Sequence, residues 1–191
     1  MCDVPVFYAT SEGQTRLIAE RIAATLREQG LSSEAFDVAT HGADPDWLSA
    51  RAVVVGGSIH AGSHQRALKE FVERELRHLA ARPSAFFSVS LSVGSKNPAE
   101  VDAARALAAG FVRAAGWEPR HLACFAGKLA YTQYGLLKRL VMQYIARAEG
   151  GPTDASRDYE FTDWNAVRQF ALDVSLDVLG RGRETPAASV A

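Results

Sequence analysis

Cysteine is scarce in this chain, and no hydrophobic run is long. The 191 residues include two cysteines, Cys2 and Cys124, which lie far apart in the sequence. Two distant cysteines fit free thiols in a reducing cytoplasm better than a disulfide framework. No apolar stretch reaches the roughly 18 residues needed to span a bilayer, and no signal peptide precedes the first apolar run. We therefore expect a cytoplasmic protein, possible contact with a membrane being only peripheral, on the cytoplasmic face.

The chain also lacks an excess of charge of either sign. Its formal net charge is -1 at pH 7, which gives no overall attraction to nucleic acid. We therefore expect no nucleic-acid partner. The length suits one domain, which we place at residues 1–179, and the tail 180–191 lacks apolar periodicity and is expected to be disordered.

Short apolar runs alternate with helical patterns over most of the chain. The predicted strands are 4–9, 33–38, 52–56, 85–91 and 122–126, and the predicted helices are 15–29, 65–79 and 98–115. This alternation predicts an α/β fold, a doubly wound parallel sheet of five strands with helices on both faces. This alternation ends after the fifth strand. We then expect a helical insert at about 128–157, followed by a final helix that is capped by Thr162 or Asp163.

The loop after the first strand carries residues suited to binding an anion. Backbone N–H groups at a helix N-terminus and three hydroxyls favour an anion there, and a glycine permits close approach of the backbone. The loop contains no lysine or arginine, which suits a phosphate monoester better than a triphosphate with magnesium. A Ser/Thr-rich turn that only caps the helix is the alternative. The loop residues are Thr10, Ser11, Glu12, Gly13, Gln14 and Thr15.

Two nucleotide-binding motifs are missing from the chain. No GxxxxGK[ST] motif occurs, which excludes a P-loop NTPase, and no GxGxxG motif follows the first strand, which disfavours a dinucleotide site. His60 and His64 are four residues apart, but no carboxylate or cysteine completes a metal site with them, so we expect no metal.

Two further loops follow buried strands at the same edge of the predicted sheet. Ligands of such sheets bind beyond the carboxyl ends of the strands. Three loops at this edge could therefore hold a phosphate and flank a flat ring. The two loops consist of Ser58, Ile59, His60, Ala61 and Gly62, and of Ser90, Leu91, Ser92, Val93 and Gly94.

Several motifs along the chain point to one family. The loop at 8–15 resembles the FMN-phosphate loop of flavodoxins. The chain as a whole, from Val4 to Leu179, is similar to the flavodoxin-like, quinone-dependent protoporphyrinogen IX dehydrogenases of bacterial haem synthesis. The motifs that narrow the resemblance are Gly-Gly-Ser-Ile-His at 56–60, Pro-Ser-Ala-Phe-Phe-Ser-Val at 83–89, Ala-Gly-Lys-Leu-Ala-Tyr at 126–131, Gly-Gly-Pro-Thr-Asp at 150–154 and Phe-Thr-Asp-Trp at 161–164.

The resemblance implies FMN as the cofactor and oxidation of protoporphyrinogen IX with a respiratory quinone, menaquinone or ubiquinone, as the acceptor. The three loops would then bind the flavin. A flavodoxin-type electron carrier, an FMN-dependent quinone or NAD(P)H reductase, and a structural relative without flavin are the alternatives. A carrier usually presents a strongly acidic docking face, against which the balanced charge argues. The sequence departs from the family at 60–62, where His-Ala-Gly replaces an expected Arg-Tyr-Gly, and in a less basic insert.

His60 is the candidate catalytic residue. Its imidazole could hydrogen-bond the flavin ring or, if protonated, stabilise negative charge on reduced FMN; a solvated loop histidine is the alternative. The candidate contacts for substrate or partner are Tyr131, Tyr134, Lys138 and Arg139. The apolar face of the predicted 134–149 helix must pack against another surface. Four partners are open: its own domain, a second subunit, a lipophilic substrate or the membrane surface. A homo-oligomer is therefore possible.

Overall fold

The computed structural model describes residues 2–40, 46–129 and 156–180. The strands are β1 (Val6–Ala9), β2 (Ala35–Asp37), β3 (Val53–His60), β4 (Ser63–His64), β5 (Ser84–Ser90), β6 (His121–Ala126), β7 (Lys128–Leu129) and β8 (Tyr159–Glu160). The helices are α1 (Gln14–Glu28), α2 (Arg66–Ala80), α3 (Pro98–Ala114) and α4 (Trp164–Gly180), with a 3₁₀ helix at Leu91–Gly94.

Five parallel strands form the central sheet in the order β2-β1-β3-β5-β6. The short β4 pairs antiparallel with the end of β3. The predicted α/β fold, a doubly wound sheet of five parallel strands, is confirmed. The central strands are buried on both faces, as the valine run predicted, since Val53, Val54 and Val55 are each 0% exposed.

The helices cover the two faces of the sheet in pairs. The buried side chains of α1 and α4, such as Ile22 and Val174, pack with one face of the sheet. Those of α2 and α3, such as Phe71 and Val112, pack with the other face. Burial of both faces holds the carboxyl ends of the strands, and the loops that follow them, in fixed positions.

Two adjacent glycines let the layers approach closely beside the loops. A Cβ atom at Gly56 would lie 2.0 Å from Cζ of Phe87, and one at Gly57 would lie 2.3 Å from Cδ2 of Leu68. Neither space admits a side chain. The Gly-Gly pair therefore packs β3 against β5 on one side and against α2 on the other.

Some element boundaries differ from the prediction. The expected loop at 58–62 is wrong in part, because β3 continues to His60 and turns through Ala61 and Gly62 into β4. The apolar run of the sequence ends at the glycines, and the pairing with β4 that extends the strand depends on the tertiary fold. Residues 91–94, expected to be loop, form one turn of 3₁₀ helix. Asp163 caps α4 as expected, with its Oδ1 accepting from the amide of Asn165 at 2.9 Å.

A two-stranded ribbon brackets the predicted insert. Lys128 pairs with Glu160 and Leu129 with Tyr159 in antiparallel register, and Phe161 N donates to the Gly127 carbonyl at 3.1 Å. Lys128 Nζ also lies 3.0 Å from Oδ2 of Asp158. Residues 130–155 of the insert and the tail 181–191 lie outside the described residues, and a single domain at 1–179 stays a prediction.

Candidate functional site

The candidate site begins where β1 and β3 lie side by side. Ala9, the last residue of β1, is paired with Gly57, so the loop after β1 starts beside Ser58. In a doubly wound sheet of this strand order, the chain adds successive strands first on one side of β1 and then on the other. The point between β1 and β3 where this order reverses opens a crevice for a ligand. The first two predicted loops therefore meet at one place.

The loop at 10–15 has a backbone shaped for an anion. Gly13 has φ +88°, a left-handed conformation that side chains rarely adopt, and its amide donates to Oγ1 of Thr10 at 2.9 Å. Helix α1 begins at the next residue, and no acidic residue lies in its first turn. The positive end of the helix dipole is thus directed at this loop, and no carboxylate of the first helical turn opposes an anion there.

Buried polar atoms without hydrogen-bond partners are concentrated where the loop at 10–15 meets the end of β3, a place that we call the corner. In the described part of the chain four such side-chain atoms occur, and three of them are Oε1 of Gln14, Oγ1 of Thr15 and Oε1 of Gln65. The fourth is on Arg82, which precedes β5 at the opposite edge of the sheet. A buried polar atom without a hydrogen bond is costly, so this corner is built to receive a polar ligand.

Gln65 links the loop to the end of β3. Its Nε2 donates to Oγ of Ser11 at 3.1 Å and also to Oγ of Ser58. Residue 65 directly precedes α2, and sequence reasoning assigned it only to that helix. No local pattern could have shown that its side chain spans two loops, since both contacts depend on the sheet register.

Gln14 ties the same loop to the ribbon. Its Nε2 donates to Oε1 of Glu160 at 2.8 Å and to Oγ1 of Thr162 at 2.9 Å. The Thr162 hydroxyl donates in turn to the Ala126 carbonyl at 2.8 Å, at the end of β6. The amide group of Gln14 is thereby fixed, and its unpaired Oε1 is held in one direction.

The third predicted loop lies at the ends of β5 and β6. Ser90 pairs with Ala126, and its Oγ accepts from the amide of Ser92 at 3.2 Å. A Cβ atom at Gly94 would lie 3.1 Å from Cβ of Phe161. Residues 91–93 are half-buried and remain accessible to a ligand at this edge.

The two histidines of the β3–β4 hairpin differ sharply. The side chain of His60 is exposed, at the end of β3. The Nε2 of His64 lies 2.9 Å from Oγ of Ser88, and its ring is centred 4.6 Å from that of Phe111. Burial lowers the pKa of His64 to about 4, so its imidazole is neutral near pH 7. His64 also borders an apolar groove of about 610 Å³ between the hairpin and α3.

The structure brings some of the predicted site residues together and leaves others apart or outside the described ranges. The loop residues at 10–15 and Ser58 meet in one corner, while 90–94 end a strand one position further along the sheet. Tyr131, Tyr134, Lys138 and Arg139 lie outside the described residues. Within 2–40, 46–129 and 156–180, no group of three His, Cys, Asp or Glu side chains could hold a metal. In the same ranges, no helix combines the length and apolarity that crossing a bilayer requires.

The donor and acceptor atoms of the corner fit FMN. Its phosphate offers anionic acceptors for the Thr15 hydroxyl and the amides at the start of α1, and its ribityl hydroxyls can donate to glutamine oxygens. The orphaned atoms of Gln14, Thr15 and Gln65 include both kinds. A phosphate held by neutral donors also needs no cation from the loop.

Comparison with known proteins agrees with this geometry. A model of the flavodoxin domain family matches residues 5–156. The chain is 33% identical over 170 residues to the protoporphyrinogen IX dehydrogenase (quinone) of Escherichia coli K12, covering 89% of this chain and 93% of that protein. The protein of the same name from Leishmania major is 33% identical over 171 residues, covering 88% and 72%.

A solved structure supports the fold independently. The oxidised flavodoxin 1 of Bacillus cereus superposes with a TM-score of 0.53 at 12% identity, covering 90% of this chain and 95% of that chain. At so low an identity the likeness shows the fold alone. The resemblance inferred from the motifs is confirmed by the two relatives.

Proposed function

The chain belongs to the flavodoxin domain family, whose cofactor is FMN, and we propose that it oxidises protoporphyrinogen IX to protoporphyrin IX with a quinone as electron acceptor. Two relatives that carry this activity in their names match 89% and 88% of the chain. The structural observation that supports the proposal most is the group of orphaned polar atoms of Gln14, Thr15 and Gln65. They lie around the loop that follows β1, beside the end of β3.

The residues at 10–15 would hold the phosphate. The amides at the start of α1 and the hydroxyl of Thr15 would donate to it, and Gly13 keeps the loop open with its left-handed backbone. The residues at 58–62 and 90–94 would flank the flavin ring. Bound FMN supplies two-electron redox chemistry, and the protein supplies orientation and hydrogen bonds.

His60 would act on the ring side of the site. Its exposed imidazole stands at the end of β3, where the hairpin turns. In this position it would hydrogen-bond the flavin ring, and we propose it as the catalytic residue. His60 would then stand beside the redox centre, on a hairpin whose other histidine is half-buried and neutral.

The insert would supply the contacts to lipophilic partners. The sequence pattern of 134–149 is apolar on one face and carries Lys138 and Arg139 on the other. We propose that this segment binds the membrane surface peripherally and that Tyr131 and Tyr134 contact the porphyrinogen. Deleting 134–149 should leave FMN retention unchanged and abolish binding to anionic vesicles; vesicle binding equal to the full chain would refute this part.

The test of the proposed function is an anaerobic assay of the FMN-loaded protein. Protoporphyrinogen IX and a menaquinone analogue are supplied together, and porphyrin fluorescence is followed. We expect fluorescence to rise only when protein and quinone are both present. Protein that carries FMN but forms no porphyrin above the uncatalysed rate would instead indicate an electron carrier.

A further inference from the structure

Gln65 makes two hydrogen bonds that its place in the fold does not require. It is the residue before α2, and its backbone carbonyl accepts from the amides of Leu68 at 3.1 Å and Lys69 at 3.2 Å. Its side chain makes no capping bond to the helix. The side chain turns instead toward the loop after β1, where its Nε2 donates to the hydroxyls of Ser11 and Ser58.

These two bonds determine whether the serine hydroxyls donate or accept in any further hydrogen bond. A hydroxyl carries one hydrogen and two acceptor lone pairs. Ser11 and Ser58 each use a lone pair toward Gln65, so the hydrogen of each remains to be donated elsewhere. An amide N–H pair thus turns two ambivalent hydroxyls into donors, and donors are what a phosphate or a carbonyl oxygen of a flavin needs.

The position of Gln65 is itself built into the packing. A Cβ atom at Gly57 would lie 3.4 Å from Oε1 of Gln65, so the amide packs in van der Waals contact beside the β3 backbone at this glycine. The same Oε1 is buried without a partner among the described residues. The amide therefore faces the corner that the orphaned atoms of Gln14 and Thr15 mark as the ligand site.

We propose that Gln65 is a positioning residue that orients Ser11 and Ser58 as hydrogen-bond donors to the cofactor. This inference rests on the proposed function, because it requires FMN in the corner. Ser11 belongs to the proposed phosphate loop, and Ser58 is the last residue of β3 that pairs with β5. Gln65 thereby couples the phosphate end of the site to its ring end.

The test is Gln65→Glu, which replaces the donor amide by a carboxylate of the same shape. A carboxylate only accepts, so it turns the Ser11 and Ser58 hydrogens toward itself and away from the ligand. Lys69→Gln is the matched control, since it makes the same change of charge one turn further along α2, at an exposed side chain. Each protein is titrated with FMN and with riboflavin, which lacks the phosphate, and the thermal unfolding of the apo forms is recorded.

We expect Gln65→Glu to weaken FMN binding by about tenfold to hundredfold, the value of a hydrogen bond to a charged group, and to weaken riboflavin binding less. Lys69→Gln should change FMN affinity by less than about threefold. In a Ser11→Ala background the cost of Gln65→Glu should shrink, because one of the two oriented hydroxyls is already gone.

Three results would overturn the inference alone: FMN affinity unchanged in Gln65→Glu, equal losses for FMN and riboflavin, or additive effects of Gln65→Glu and Ser11→Ala. Ser11→Ala keeps the test decisive even if Gln65→Glu unfolds, because it should by itself reduce the preference for FMN over riboflavin, and an unchanged preference would refute the role. A wild-type protein that binds no FMN would overturn the proposed function together with the inference.

Discussion

The Gln14 side chain donates to the Glu160 carboxylate at 2.8 Å, joining the loop after β1 to a strand 146 residues further along the chain. The ribbon that contains Glu160 brackets the predicted insert at 128–157. The first residue of α1 is therefore held by the element from which the insert departs. The start of α1 and the ribbon beside the predicted insert are thus joined by hydrogen bonds.

This link should be measurable as a coupling energy in the apo protein. We expect Gln14→Ala and Glu160→Ala each to lower the free energy of unfolding, and the double variant to lose about 1 kcal/mol less than the sum, because both remove the same bond. Denaturant unfolding of the four proteins measures this. Strictly additive losses would show that the two side chains do not interact.

Gly13 should be essential to the shape of the phosphate loop. Gly13→Val forces a β-branched residue into a left-handed backbone, at a cost of about 1–2 kcal/mol or a rearranged loop, and FMN retention should be lost. Gly30→Val is the matched control. Gly30 has φ +82° and open space around it, but it lies at the other end of α1.

Comparing Gly13→Val with Gly30→Val separates the effect on the loop at 10–15 from the general cost of a strained backbone. Both variants should unfold at lower denaturant concentration by similar amounts, while only Gly13→Val purifies without flavin. Flavin absorbance per protein measures retention. Normal retention by Gly13→Val would refute the assignment of residues 10–15 as the phosphate loop.

His60 should affect turnover more than cofactor binding. We expect His60→Ala to lower kcat by about tenfold or more, the loss of one hydrogen bond to a developing charge, with FMN affinity nearly unchanged. Ser63→Ala, at the position paired with His60 across the hairpin, serves as the control and should keep wild-type turnover. Unaltered turnover in His60→Ala would leave His60 a solvated surface residue.

His64 should make the protein less stable in mild acid. Burial holds its pKa at about 4 in the folded state, below the ordinary value of 6.5, so the unfolded chain binds more protons between these values. Stability due to neutral His64 is fully present above pH 6.5 and falls as the pH drops toward 4, by up to about 3 kcal/mol. Urea unfolding between pH 7 and 5 measures the slope.

His64→Gln provides the reference for that slope. A glutamine can keep a polar contact with Ser88 but does not titrate, so its stability should depend less on pH over the same range. The variant is expected to be less stable than the wild type at pH 7, because the ring contacts with Phe86 and Phe111 are lost. Equal slopes would assign the acid sensitivity to other groups.

The sequence predicted the sheet well because its signals are local. The valine run at 53–55 and the spacing of apolar residues in α1 and α2 reflect burial, which periodicity reports directly. The position of the loop between β1 and α1 was also predictable, since the polar residues and Gly13 that interrupt the apolar pattern are local signals. The contacts of Gln65 and of Glu160 were not readable, because they join residues that only the strand order and register bring together.

The hairpin at the end of β3 shows the same limit. The glycines at 56 and 57 interrupt the apolar pattern, so the predicted strand stopped there, whereas close packing against Phe87 and Leu68 is the reason for the glycines. The pairing of Ile59 with His64 then carries the strand to His60. Two adjacent glycines normally indicate the end of a strand, but in β3 they lie where the strand packs most tightly against its neighbours.

A single-turnover experiment tests the central claim most directly. FMN-loaded protein is mixed anaerobically with an equal amount of protoporphyrinogen IX, and the visible absorbance of the flavin is followed before and after addition of a menaquinone analogue. The account predicts that the absorbance is bleached by the porphyrinogen and restored by the quinone. Flavin absorbance that stays unchanged on mixing with the porphyrinogen would contradict it.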